Sequence, residues 1–76
     1  MKHIKFHDTN EVSVNGLEVG TISFSAEQDG TWTARFMDRV GNERADIPAV
    51  TGKANPVASI RELRDRIRAA YQGGDQ

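Results

Sequence analysis

The sequence predicts an α+β domain. We expect an antiparallel three- to four-stranded β-meander with one C-terminal α-helix packed on one face, in the order β-β-β-β-α. Three observations predict it. Apolar residues alternate on both sides of Asn15-Gly16 in Val12-Ser13-Val14-Asn15-Gly16-Leu17-Glu18-Val19, the strongest short-range hairpin signal. Trp32, Ala34 and Phe36 alternate with Thr31, Thr33 and Arg35, the period of a strand with one buried face. Val57, Ile60, Leu63, Ile67 and Tyr71 then recur every three or four residues, the stripe of an amphipathic helix.

Each element has its own local grounds. Ile4 and Phe6 alternate with Lys2, His3, Lys5 and His7 in a short first strand, and Asp8-Thr9-Asn10 is turn chemistry. A two-residue turn at Asn15-Gly16 sets Val14 opposite Leu17 and Val12 opposite Val19, which places all four side chains on one face. Leu17 and Val19 are apolar at odd positions, whereas Ile22 and Phe24 are apolar at even ones. A strand alternates faces with period two, so one extra residue is needed to keep both pairs inward. We therefore expect a long strand over about residues 17 to 25, bulged near Gly20 and Thr21.

The polar stretch Ala26 to Gly30 reads as a loop, with the Trp32–Phe36 strand after it. Asp38 to Asn42 forms a turn. Arg44, Ala45, Asp46 and Ile47 form a last short strand, which Pro48 ends or places at an edge. Thr51 to Ala54 reads as a loop. Asn55-Pro56 suits an N-cap followed by proline at the first helical position. Gly73-Gly74 stops the helix. The expected organisation is one domain over residues 1–72 and a disordered tail at 73–76. Burying Trp32 and Phe36 against Ile60, Leu63 and Ile67 is expected to supply most of the stability, at about 1.5–3 kcal/mol per large side chain.

A chain of 76 residues has room for one small core. It contains no cysteine, which excludes disulfides and thiolate zinc sites. No apolar run approaches the roughly 20 residues of a membrane span, and Met1-Lys2-His3-Ile4-Lys5-Phe6 has no apolar signal core. We expect an intact, cytoplasmic chain that does not enter membranes. Residues 1–38 carry a net charge of −3 and residues 39–76 one of +2. That asymmetry is able to steer a partner.

Gly20-Thr21-Ile22, then Asp29-Gly30-Thr31-Trp32-Thr33-Ala34-Arg35-Phe36, then a helix, resembles the N-terminal arm-binding domain of tyrosine recombinases over about residues 20 to 70. The resemblance implies a three-strand-plus-helix fold that binds DNA in the major groove through its exposed sheet face. The outward positions here are Glu11, Ser13, Glu18, Ser23, Ser25, Thr31, Thr33 and Arg35, and the loop Ser25 to Asp29 has no Lys or Arg. Phosphate contacts need cations, and base reading favours Arg, Lys, Asn or Gln.

No catalytic constellation is legible. His3 and His7, four residues apart on one strand, stand about 13 Å from each other at 3.3 Å per residue, too far to share a metal ion. Ser23, Ser25 and Ser59 have no histidine in a recognisable motif, and no glycine loop follows a phosphate-binding pattern. We expect no enzyme activity, no cofactor and no metal. On the helix, Glu62–Arg66 and Arg61–Asp65 are i,i+4 pairs. Arg61, Arg64 and Arg68 line one flank, which is either a solvated face or a docking stripe for carboxylates or phosphates. The sheet face with Ser23, Thr31, Thr33 and Arg35 is the second candidate surface. Edge strands are a third, because an unprotected edge pairs with a partner strand or with a copy of itself.

The expected function is that of a non-enzymatic binding module. In style it is similar to small phage and mobile-element accessory proteins, including anti-CRISPR inhibitors that dock stoichiometrically on a host protein or protein–nucleic acid complex. The alternative is a DNA-binding module of the recombinase-arm type. Oligomeric state is left open.

Overall fold

The computed structural model describes residues 2–72. Its first three strands follow from the two turns the sequence marks. β1 (Ile4–Phe6) and β2 (Glu11–Val14) are joined by the Asp8-Thr9-Asn10 turn, with Asn10 at φ 67°. Asn15 (φ 53°) and Gly16 (φ 84°) make the tight turn into β3 (Leu17–Ala26). Both turn residues need the left-handed region, which Asn and Gly enter at least cost. β4 (Trp32–Asp38) and β5 (Val50–Lys53) complete one antiparallel sheet in the order β1-β2-β3-β4-β5, and α1 (Pro56–Gln72) closes the chain.

The bulge lies one residue before the expected place. Val14 pairs with Leu17 and Ser13 with Glu18, but Val12 pairs with Gly20, so Val19 is the extra residue. The parity conflict between Leu17/Val19 and Ile22/Phe24 is thereby resolved. Gly20 is buried, and a Cβ there would fall 2.7 and 2.9 Å from two ring carbons of Phe36 and against the Met37 carbonyl oxygen. The Phe36 ring uses the space that a side chain at residue 20 would fill.

The core is centred on Phe36 with Val12, Ile22, Val50, Leu63 and Ile67, all 4% exposed or less. Ile4, Phe6, Val19 and Tyr71 pack around it. Trp32 is only half-buried and stands outside this cluster, packing on Phe24 with ring centroids 6.0 Å apart. It sits at the far end of the β3–β4 hairpin, opposite Ala26, so the expected burial of the indole under the helix is corrected. Leu17, at 73% exposure, is likewise outside the core although it faces Val14.

The last strand is Val50–Lys53, and residues 44–47 are not a strand. The Arg44 guanidinium donates to both Asp46 carboxylate oxygens (2.9 and 2.6 Å), and the Ile47 N–H donates to the Arg44 carbonyl. These local bonds curl the segment and turn Ile47 into the core at 0% exposure. Pro48 has no N–H for a ladder. Arg66 instead donates to the Pro48 and Ala49 carbonyls, both at 3.0 Å.

The helix begins as the sequence indicates. The Asn55 side chain accepts from the Ala58 N–H at 2.8 Å, with Pro56 at the first helical position. Its buried positions are Ser59, Leu63 and Ile67. Val57, expected in the stripe, is 63% exposed. Ser59 takes its place and satisfies its hydroxyl on the Pro56 carbonyl. The Gly73-Gly74 stop and the tail at 73–76 lie outside the described residues.

Gly20→Ala is expected to destabilise the domain by about 1–3 kcal/mol, the usual cost of overpacking a core. Urea unfolding followed by Trp32 fluorescence measures it; an unchanged midpoint would show that the Phe36 ring and the Met37 carbonyl both give way freely.

Candidate docking surface on the helix flank

Arg61, Arg64, Arg66 and Arg68 occupy one helix, yet the helical period sends them to two flanks. Arg66 belongs to the β5 side. It bonds Glu62 at 2.9 Å as well as the two carbonyls before β5, and Glu62 also holds Lys53 at 2.6 Å. The Lys53 ammonium, and then Arg66, keep the Glu62 carboxyl below its ordinary 4.5. This flank fastens helix to sheet.

The opposite flank carries Arg61, Arg64 and Arg68, the three residues singled out in the sequence. With Val57 and Ile60 they line an open groove of about 330 Å³. Phe6 of β1 lies beneath two of them, with the Arg64 and Arg68 guanidinium carbons 4.9 and 4.8 Å from its ring centroid. Each such stack is worth about 0.5–1 kcal/mol at a partly exposed site. The ring thus holds two like charges side by side. Arg68 also bonds Asp65 at 3.1 Å. Asp65 therefore pairs with Arg68, not with Arg61 as the i,i+4 spacing suggests. Among the described residues Arg61 has no ion pair, and Arg64 Nε is shielded from solvent without a hydrogen-bond acceptor.

The four sheet residues do not form a common surface. Ser23 and Arg35 are exposed and pair across β3 and β4. Thr31 is half-buried and occupied with Asp29, whose carboxylate accepts from the Thr31 hydroxyl (2.6 Å) and N–H (3.0 Å). Thr33 is buried at 2% exposure, a correction. The β4–β5 register slips between Trp32/Lys53 and Ala34/Val50, so Thr33 stands opposite both Thr51 and Gly52. Charge on the outer face includes Glu11 and Glu18. His7 is hydrogen-bonded to Ser13 (2.9 Å), and His3 uses its backbone N–H on the Asn15 side chain. No group of three metal-ligating side chains occurs among the described residues.

A second hollow, of about 400 Å³, lies between Val19, Asp38, Arg39, Arg44 and Tyr71. Arg44 stacks over the Tyr71 ring at 4.7 Å and is tied to Asp46, whose hydrogen bond raises the Arg44 pKa. This lining carries both signs of charge and is internally neutralised, unlike the helix groove.

Phe6 as the platform for two arginines was not legible in the sequence, since 58 and more positions separate them. No helix among the described residues is long and apolar enough to cross a membrane. Compared with known proteins, the chain matches no family model, no curated sequence and no solved structure.

The depressed Glu62 and Asp29 carboxyls each contribute to the acid limb of stability. A carboxyl whose folded pKa lies below its unfolded value stabilises the fold above that unfolded value, and the contribution is lost as pH falls through the folded pKa. The melting temperature is therefore expected to decline as pH drops below 4.5. Glu62→Gln should lower it slightly at pH 7, and the difference should vanish in acid. Thermal scans across pH would contradict this if the two proteins differed equally at every pH.

Proposed function

We propose that this protein is a non-enzymatic docking module that captures an acidic segment of a partner protein in the helix groove. One observation carries the reading. Three guanidinium groups surround a groove with apolar walls, and the exposed Arg61 among them has no ion pair among the described residues. Carboxylates suit the planar fork of arginine, and apolar neighbours at Val57 and Ile60 suit a side chain beside the acid. Stoichiometric docking of this type is the working style of small phage inhibitors such as anti-CRISPR proteins, which the sequence resembles in size and composition. A host protein or a protein–nucleic acid complex with an acidic patch is the corresponding target.

The competing reading is duplex DNA on the exposed sheet face. That face retains Arg35 and Ser23 beside Glu11 and Glu18, with Thr33 buried. Its charge does not favour a polyanion, and the groove supports a protein partner better.

The test is titration of a fluorescent peptide of alternating valine and glutamate, in parallel with a labelled short duplex DNA. Wild-type protein is expected to bind the peptide, and R61E/R64E to lose about tenfold in affinity, or about 1.4 kcal/mol, with an unchanged far-UV spectrum. Equal peptide binding by the variant sinks the groove. Preference for the duplex, with steep salt dependence, establishes the DNA reading instead.

A further inference from the structure

We propose that the acidic segment binds as an added β-strand, along a free edge of β3 beside the arginine groove. This rests on the docking reading above and specifies how the partner chain is held.

The free edge follows from unequal strand lengths. β3 has ten residues and β2 has four. Pairing with β2 ends at Thr21↔Glu11, and the Ile22 N–H makes a last bond to the Asn10 carbonyl at 2.8 Å. Ser23 to Ala26 have β4 on one side and no strand on the other. Antiparallel pairing alternates the direction of backbone groups. The Glu27 N–H reaches the Thr31 carbonyl, so odd positions of this arm face β4; the Ile22 N–H points the opposite way. The N–H and C=O groups of Phe24 and Ala26 therefore face the open side. Among the described residues nothing bonds them there.

The open edge lies level with the Val57 end of the groove. The helix starts near the Trp32–Lys53 end of the sheet, where Glu62 holds Lys53, and ends near Lys2, whose carbonyl accepts from Gln72. It therefore runs opposite to β3. Arg64 stands at the level of Phe6, which pairs with Val12 and through it aligns with Gly20. Val57 lies seven residues back, about 10 Å along the helix. Phe24 lies four residues beyond Gly20, about 13 Å along the strand. Val57 thus stands level with the open segment, and Arg61, four residues on, stands beside its near end. Phe24 shares the helix side of the sheet with Ile22, yet is 42% exposed with Trp32 beside it. An added strand would cover Phe24, pass beneath Val57 and bring a carboxylate at its near end within reach of Arg61.

Charge selects the occupant. Of the two outermost strands, β1 carries Lys5 with Lys2 and His3 just before it, and β5 ends at Lys53, charges that discourage unwanted pairing. Ser23-Phe24-Ser25-Ala26 has no charge. A second copy pairing edge to edge about a two-fold axis would bring two arginine flanks together, which like charges oppose. A partner strand bearing carboxylates meets them favourably.

The test uses amide hydrogen exchange with the valine–glutamate peptide as probe. In the free protein the Phe24 and Ala26 amides are expected to exchange quickly, and Ser23 and Ser25 slowly. Peptide should slow Phe24 and Ala26 by tenfold or more. Ala26→Pro removes a donor that makes no internal bond, and should weaken peptide binding by about tenfold without lowering the melting temperature. If R61E/R64E weakens binding while exchange at Phe24 and Ala26 stays fast and A26P binds normally, strand addition is overturned and the groove reading survives. If neither variant weakens binding, both fall. Slowing of these two amides with protein concentration alone identifies a second copy as the occupant and overturns the proposal. The wild-type exchange data remain decisive if A26P folds poorly.

Discussion

The Phe36 ring sits where a side chain at residue 20 would be, and much of the structure depends on that approach. A buried glycine in a strand loses conformational entropy on folding and offers nothing to pack. Here it admits an aromatic ring against the strand backbone. The bulge at Val19 delivers Gly20 to the inward face at the position opposite Val12. Without it, either Leu17 and Val19 or Ile22 and Phe24 would face the wrong way. Bulge, glycine and ring are one device, and it bends the sheet on which Leu63 and Ile67 seat.

The helix arginines divide by role according to which flank they occupy. Arg66 reaches across to two carbonyls that lack ladder partners because Pro48 interrupts the chain there. Arg64 and Arg68 rest on Phe6, and Arg61 extends into solvent. Stacking on an aromatic ring keeps guanidinium groups ordered while their N–H edges stay available. A flank whose charges are held in place loses less entropy when it binds than one of freely moving lysines. The opposite hollow near Tyr71 has no such reserve, since Asp46 already occupies Arg44.

Local chemistry was legible where the determining residues are neighbours in sequence. Asn15-Gly16, the parity change across Gly20, and Asn55-Pro56 each announced their element. The Arg61/Arg64/Arg68 flank was legible because helical spacing alone places it. Among the expectations that failed, three did so because one of several competing contacts won. Residues 44–47 were alternating enough for a strand, but the Arg44–Asp46 bond curled them. Trp32 had the right period for the core, but it lies at the loop end of the β3–β4 hairpin, paired with Ala26 and packed on Phe24. Arg61 had the right spacing for Asp65, but Arg68 took that carboxylate. The open edge at Ser23–Ala26 was foreshadowed by a long strand beside a short one, a mismatch the sequence already contained.

By itself the sequence determined the class of fold, the turns, the bulge and which helix flank is basic, because each follows from period and local backbone preference. Tertiary structure alone decided which of those residues meet. It set Phe6 beneath two arginines, buried Thr33, left Phe24 uncovered and made Val50–Lys53 the last strand. These outcomes depend on how far each strand extends past its neighbour and where the helix lies across them, and burial of the whole core fixes both at once.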